Sequence, residues 1–166
     1  SISRARYVKP LLYEGKMSVR ITEEDFDVAY EHQQLKSSKA GAIVTFTGTV
    51  RDLQENYELR AMTLEHYSGM TEIEIEKIVV EAKTRWPLEK VIVIHRVGRL
   101  LPTENIVFVG CSSAHRAAAF DSANFIMDFL KTRAPFWKKE EGPNGANWVD
   151  ARDSDSLALD RWKKPK

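Results

Sequence analysis

Three runs rich in β-branched and aromatic residues limit what this chain can fold into: GAIVTFTGTV at 41–50, KVIVIHRVGRL at 90–100 and IVFVGC at 106–111. Each is short and bounded by glycine, proline or polar residues, the pattern of a strand. Two other segments follow a helical period. From Met70 to Trp86 the apolar residues Ile73, Ile75, Ile78, Val79 and Ala82 recur at helical spacing until Pro87 ends the run. From Ser112 or Ser113, the predicted cap, a second helix runs to about Thr132, where Ala134-Pro135 stops it. Its expected core stripe is Phe120, Ala123, Met127 and Leu130, with Ile126 alongside. Strands and helices that alternate irregularly, with hairpin-length loops, predict an α+β fold with a mostly antiparallel sheet and packed helices.

Weaker patterns fill in the rest. MSVRIT alternates like a short strand, and Thr22 followed by Glu23, Glu24 and Asp25 predicts a helix running to about Leu35. ELRAMTLEHY alternates and is expected to pair with GAIVTFTGTV through the loop between them, while PFWKKE and NWVDAR predict a hairpin. The 166 residues read as a single domain over 1–166, with an N-terminal arm at 1–16 and a flexible tail at 150–166. No apolar run approaches the ~18 residues of a membrane span, so the expectation is a cytoplasmic protein without membrane contact.

Charge and cysteine content narrow the chemistry. Lys+Arg 25 against Asp+Glu 24 leaves a net charge of +1, too little for a global field that attracts nucleic acid. Anion chemistry must therefore arise from a local cluster. The single cysteine, Cys111, excludes an internal disulfide and two-cysteine metal or redox motifs. It ends an apolar strand and reads as a buried small hydrophobe. His66 and His95 have no metal-site spacing and read as core or edge histidines, so no metal is expected.

Two local clusters and one arginine stand out. SSAHR at 112–116 places His115 and Arg116 at a helix N-terminus, where unpaired N–H groups and the macrodipole favour an anion. The alternative is a solvated first turn. Lys131, Arg133, Lys138 and Lys139 surround Pro135-Phe136-Trp137, a mixture suited to a planar phosphorylated ligand or to single-stranded nucleic acid. A strand with buried aromatics and solvated lysines is the bland alternative. Arg51 closes TFTGTV where strand gives way to loop, with Gly48 permitting close approach and Thr49 and Val50 offering backbone groups.

Helix geometry separates the clusters. Sixteen residues from His115 to Lys131 correspond to ~24 Å along one helix. The rotation between them is ~160°, so they also point to different faces. Either the two ends form two separate sites, or two copies of the chain meet so that the His-Arg end of one approaches the lysine end of the other; the second is the expectation.

At these residues the sequence resembles the large, catalytic subunit family of molybdopterin synthase. The matching blocks are TFTGTVR, MTLEHYSGM, RWPLEKVIVIHRVGRL, VFVGCSSAHRAAAF and FIMDFLKTRAPFWKKE, in order over most of 41–140. The resemblance implies an α/β-hammerhead-like fold and a sulfurtransferase of molybdenum cofactor biosynthesis. Such enzymes convert cyclic pyranopterin monophosphate to molybdopterin. Sulfur arrives as a thiocarboxylate on the C-terminal glycine of a small ubiquitin-like subunit, and a homodimer of large subunits sits within a heterotetramer. No cofactor is implied beyond the pterin substrate. Carried over, Arg51, Lys131 and Lys138 match the catalytic pocket, and His115 and Arg116 match a substrate-binding pair. Lys139 and Glu140 continue the matching motif, and Thr49 and Val50 are expected to contact substrate beside Arg51. The loop DLQENYELR and the turn LPTEN depart from the family pattern, so the resemblance assigns no contact to 52–58. Two other readings stand beside it: a non-enzymatic anion- or nucleic-acid-binding module built on 131–139, and a sulfurtransferase carrying sulfur on Cys111.

Overall fold

Strands β6 (Leu88–Arg96) and β8 (Asn105–Ser113) are the most apolar elements because both of their faces are covered. The computed structural model describes residues 17–54, 57–149 and 160–163. Within them the chain runs β1 (Met17–Thr22), α1 (Val28–Gln34), β2 (Ala42–Thr49), β3 (Leu53–Gln54), β4 (Tyr57–Glu58), β5 (Ala61–His66) and α2 (Met70–Arg85). After β6 come β7 (Gly98–Leu100), β8, α3 (Arg116–Thr132), β9 (Phe136–Gly142) and β10 (Gly145–Val149). One four-stranded sheet has the order β1-β6-β8-β2 and another β10-β9-β5-β7, with β3 and β4 as a separate ribbon. Every pairing is antiparallel except β1 with β6. This is the predicted α+β architecture.

Alternation along β6 divides the core. Val91 and Val93 meet Ile75, Val79, Ile126 and Phe129 of α2 and α3, while Ile92 and Ile94 meet Phe26, Leu35 and Phe108 on the other face. A third cluster joins the two sheets: Val50, Leu59, Met62, Leu64, Val97 and Leu100, with Phe136 and Ile106 against it.

Several local expectations are corrected. KVIVIHRVGRL is two strands, because Gly98 at φ 87° turns the chain out of the first sheet and into the second. ELRAMTLEHY does not pair with GAIVTFTGTV: β5 lies between β9 and β7, and β2 pairs with β8. Alternation sets which face of a strand is apolar but not its neighbour. Helix α1 starts later than Thr22, since Asp27 caps it by accepting from the Tyr30 N–H and the acids before it form a turn around buried Phe26. Neither Ser112 nor Ser113 caps α3. Both end β8, where the Ser112 hydroxyl accepts from the Lys90 N–H (3.1 Å) and the Ser113 hydroxyl donates to the Pro87 carbonyl (2.7 Å). The buried stripe of α3 includes Ala119, Ala123, Ile126 and Leu130, whereas Phe120 is exposed.

The tail is partly fixed. Trp162 packs edge-on against Trp86 and Phe125, and its indole N–H donates to Asp128. Arg161 donates to the same carboxylate, and Arg85 donates to the Trp162 carbonyl. The predicted arm at 1–16 lies outside the described residues, as do 150–159 and 164–166 of the predicted tail.

Candidate active site

A cleft of about 580 Å³ opens where the two sheets meet the C-terminal end of α3. Its floor is the inter-sheet cluster, with Met62, Leu64 and Phe136 facing the space beside Leu130 of α3. Its polar wall comes from three elements. The end of β2 supplies Thr49, Val50 and Arg51; the last turn of α3 supplies Lys131; and β9 supplies Lys138 and Glu140.

Local structure explains how each gets there. Pairing of β2 with β8 shifts register between Gly48 and Thr49, so the strand end swings toward the cleft. A Cβ on Gly48 would lie 2.8 Å from Val107 Cγ1, which is why the residue before the shift has no side chain. Val50 departs from expectation. Its N–H donates to the Glu104 carbonyl (2.9 Å) and its carbonyl accepts from the Thr103 N–H (2.8 Å), so the LPTEN turn occupies the backbone groups that looked available to a ligand. On β9 the period of two sends Phe136, Lys138 and Glu140 to the cleft and leaves Trp137 and Lys139 on the other face. There the Lys139 ammonium lies 5.8 Å from the Trp148 ring centre, away from the space. Lys138 Nζ is 3.3 Å from Glu140 Oε1, and Glu140 is buried.

Arg51, Lys131 and Lys138 thus stand against one carboxylate among the lining residues, and the cleft carries excess positive charge. An anion bound beside the apolar floor would be held by donors in a partly desolvated space, where such contacts are strongest. His115 and Arg116 do not join them. They are exposed at the far end of α3, in keeping with the helix arithmetic. Among the described residues no group of three or more His, Cys, Asp or Glu side chains could hold a metal ion, and no helix is long and apolar enough to cross a membrane.

Sequence reasoning missed His95. Expected as a core or edge histidine, it is buried at 7% exposure yet lines the cleft. Its ring stacks on Phe136 with centroids 3.9 Å apart and planes 20° from parallel. Burial pushes its pKa down to about 4. The hydrogen bond to the Arg96 backbone works the other way, and the charges of Lys131 and His66 add to the lowering. An unfolded chain takes up this proton as pH falls through 6.5, whereas the folded one stays neutral until about 4. The associated stability is therefore full above 6.5 and is lost as pH falls toward 4. Between pH 7 and pH 5 the protein should lose roughly 2 kcal/mol of unfolding free energy more than a His95→Gln variant. Urea unfolding at both pH values measures this, and parallel losses would rule the effect out.

A family model described as MoaE protein matches residues 21–133. The chain belongs to the MoaE family. A molybdopterin synthase catalytic subunit from Pseudomonas aeruginosa is 51% identical over 150 residues, covering 89% of this chain and 100% of that one. Among solved structures, a MoaE protein from Burkholderia ambifaria superimposes with a TM-score of 0.75 at 52% identity, over 87% of this chain and 96% of the other. A molybdopterin synthase structure from Staphylococcus aureus gives 0.74 at 27% identity, over 78% and 95% of the respective chains. The MoaE match spans Arg51, His95, His115, Arg116 and Lys131 but ends before Lys138 and Glu140.

Proposed function

We propose that this MoaE-family chain is the catalytic subunit of a molybdopterin synthase, converting cyclic pyranopterin monophosphate to molybdopterin in the cleft described above. The observation that carries the reading is the convergence of Arg51, Lys131 and Lys138 over an apolar, aromatic floor, in a chain about half identical to curated catalytic subunits. The cations suit the substrate phosphate, and Phe136 suits the flat pterin. The sulfur donor is a small ubiquitin-like subunit ending in a thiocarboxylate, whose negatively charged tail matches the same basic wall. Its sulfur attacks a side-chain carbon of the pyranopterin, forming a C–S bond as a C–O bond of that carbon breaks and the freed oxygen stays on the phosphate or leaves as water. A second water then cleaves the acyl–sulfur bond, leaving a carboxylate on the donor and sulfur on the pterin. Two such transfers give the dithiolene. Lys131 and Lys138 stabilise the negative charge that passes through these steps. Glu140 holds the Lys138 ammonium in place, and Thr49 borders the substrate.

His115 and Arg116 bind substrate in the cleft of a second copy of the chain, within a homodimer that carries one small subunit at each end. Their separation from Lys131 along α3 supports this arrangement. No resident cofactor or metal enters the scheme.

The other readings fare worse. Lys131 and Lys138 face the cleft while Trp137 and Lys139 face away, so 131–139 offers no continuous strip for nucleic acid. Cys111 is fully buried in the core beneath α3, and burial pushes its thiol up to about 11, with a Ser122 hydrogen bond only partly opposing. Cys111→Ala should keep sulfur transfer within about twofold of the parent while costing on the order of 1 kcal/mol of stability. Loss of activity at unchanged stability would restore a sulfur-carrier role. The direct test of the function is an assay with pyranopterin monophosphate and a thiocarboxylated small subunit. Dithiolene product is expected, and its absence from folded protein would refute the reading.

A further inference from the structure

We propose that His95 is a specificity-determining substrate contact: its Nε2 lone pair accepts a hydrogen bond from a ring or amino N–H of the bound heterocycle. The inference rests on the pterin reading above and adds to it the residue that recognises the ring rather than the phosphate.

Tautomer and orientation follow from two contacts. Nδ1 lies 2.8 Å from the Arg96 carbonyl oxygen. A carbonyl can only accept, so Nδ1 carries the proton and Nε2 of the neutral ring carries the lone pair. Stacking on Phe136 fixes the plane of the imidazole, and β6 fixes its root in the middle of a sheet. The ring lines the cleft, and with Nδ1 donating to the Arg96 carbonyl, Nε2 is the ring nitrogen left for a ligand.

Its neighbours make that atom distinctive. Arg51, Lys131 and Lys138 can only donate, and Glu140 is engaged with Lys138. Those cations fit the oxygens of a phosphate but offer nothing to an N–H. A pterin presents both, and His95 supplies a rigid neutral acceptor. Burial and the adjacent Lys131 charge keep the imidazole unprotonated, so the acceptor persists throughout the neutral pH range. A ligand of the same charge without an N–H in the plane of His95 would leave this buried acceptor unsatisfied, which is how a polar site rejects near-isosteres.

Two variants and two ligands test the proposal. His95→Phe keeps a flat ring on Phe136 but has no acceptor, whereas His95→Gln places an amide oxygen near the former Nε2. With pyranopterin monophosphate and a thiocarboxylated partner, His95→Phe should raise KM about tenfold with kcat within about threefold, and His95→Gln should recover most of the loss. Inorganic phosphate as a competitive inhibitor should keep its inhibition constant in both variants, since the cations that hold it are untouched. Unchanged KM in folded His95→Phe would overturn the proposal. So would parallel weakening of substrate and phosphate in both variants, which would mark His95 as a structural support for the whole cleft. Absence of turnover in the parent protein would instead refute the pterin reading, and this inference with it.

Discussion

Lys131→Ala is expected to lower turnover by about a hundredfold or more while hardly changing the unfolding temperature. Lys131 is exposed on the last turn of α3, so its removal opens no cavity in the core. A cation at a helix C-terminus lends on the order of 0.3–1 kcal/mol. Its effect on chemistry should be much larger, because it borders the cleft proposed above to bring an anionic sulfur donor to a phosphorylated substrate. A charge already placed at the cleft by the helix needs little reorganisation as the reaction proceeds. Turnover of pyranopterin monophosphate and thermal unfolding, measured on the same preparation, separate the two contributions. Comparable losses in both would show that the lysine supports the fold and not the reaction.

Mixing two inactive variants should restore activity. Arg116→Ala and Lys131→Ala alter opposite ends of the same 17-residue helix. If each site takes Lys131 from one protomer and Arg116 from its partner, a mixed dimer holds one doubly altered site and one intact site. Random exchange of equal amounts makes half the dimers mixed, so activity should recover to roughly a quarter of the parent value. Unfolding and refolding the two proteins together, then assaying against each alone, gives the measurement. No recovery, with mixed dimers verified by mass, would mean that each chain completes its own site.

How far the sequence speaks for the fold depends on the kind of information. Element types were legible wherever periodicity was strong, as in β2, β6, β8, α2 and α3. Partnership was not, and β5 illustrates why. Its alternation announces one buried face, but nothing local says that Met62 and Leu64 face an inter-sheet core shared with Val97 and Leu100. The turn at Gly98 that creates the second sheet is a single residue inside a run that reads as one strand. Among the cleft-lining residues, Arg51, Lys131 and Lys138 are singled out by the family resemblance, since charge alone leaves Lys131 the structural role of a cation at a helix C-terminus and Arg51 that of an exposed strand end. His95 was hidden by its surroundings: in VIVIHRV it looks like another core position, and its role depends on contacts with Arg96 and Phe136 that only the folded chain provides. Val50 erred in the opposite direction, since its backbone groups are taken by the turn at 101–104.

The docking of Trp162 has a practical side. Two indoles, Trp86 and Trp162, sit 5.6 Å apart and almost perpendicular, with Phe125 beside both. Asp128, which anchors this segment, lies on α3 one turn before Lys131. Fixed aromatic groups of this kind produce a near-ultraviolet circular dichroism signal that vanishes when side-chain packing loosens. The protein therefore carries its own optical gauge of whether the helix bearing Lys131 is seated. For the same reason, affinity tags and fluorescent labels are best kept away from residues 160–163.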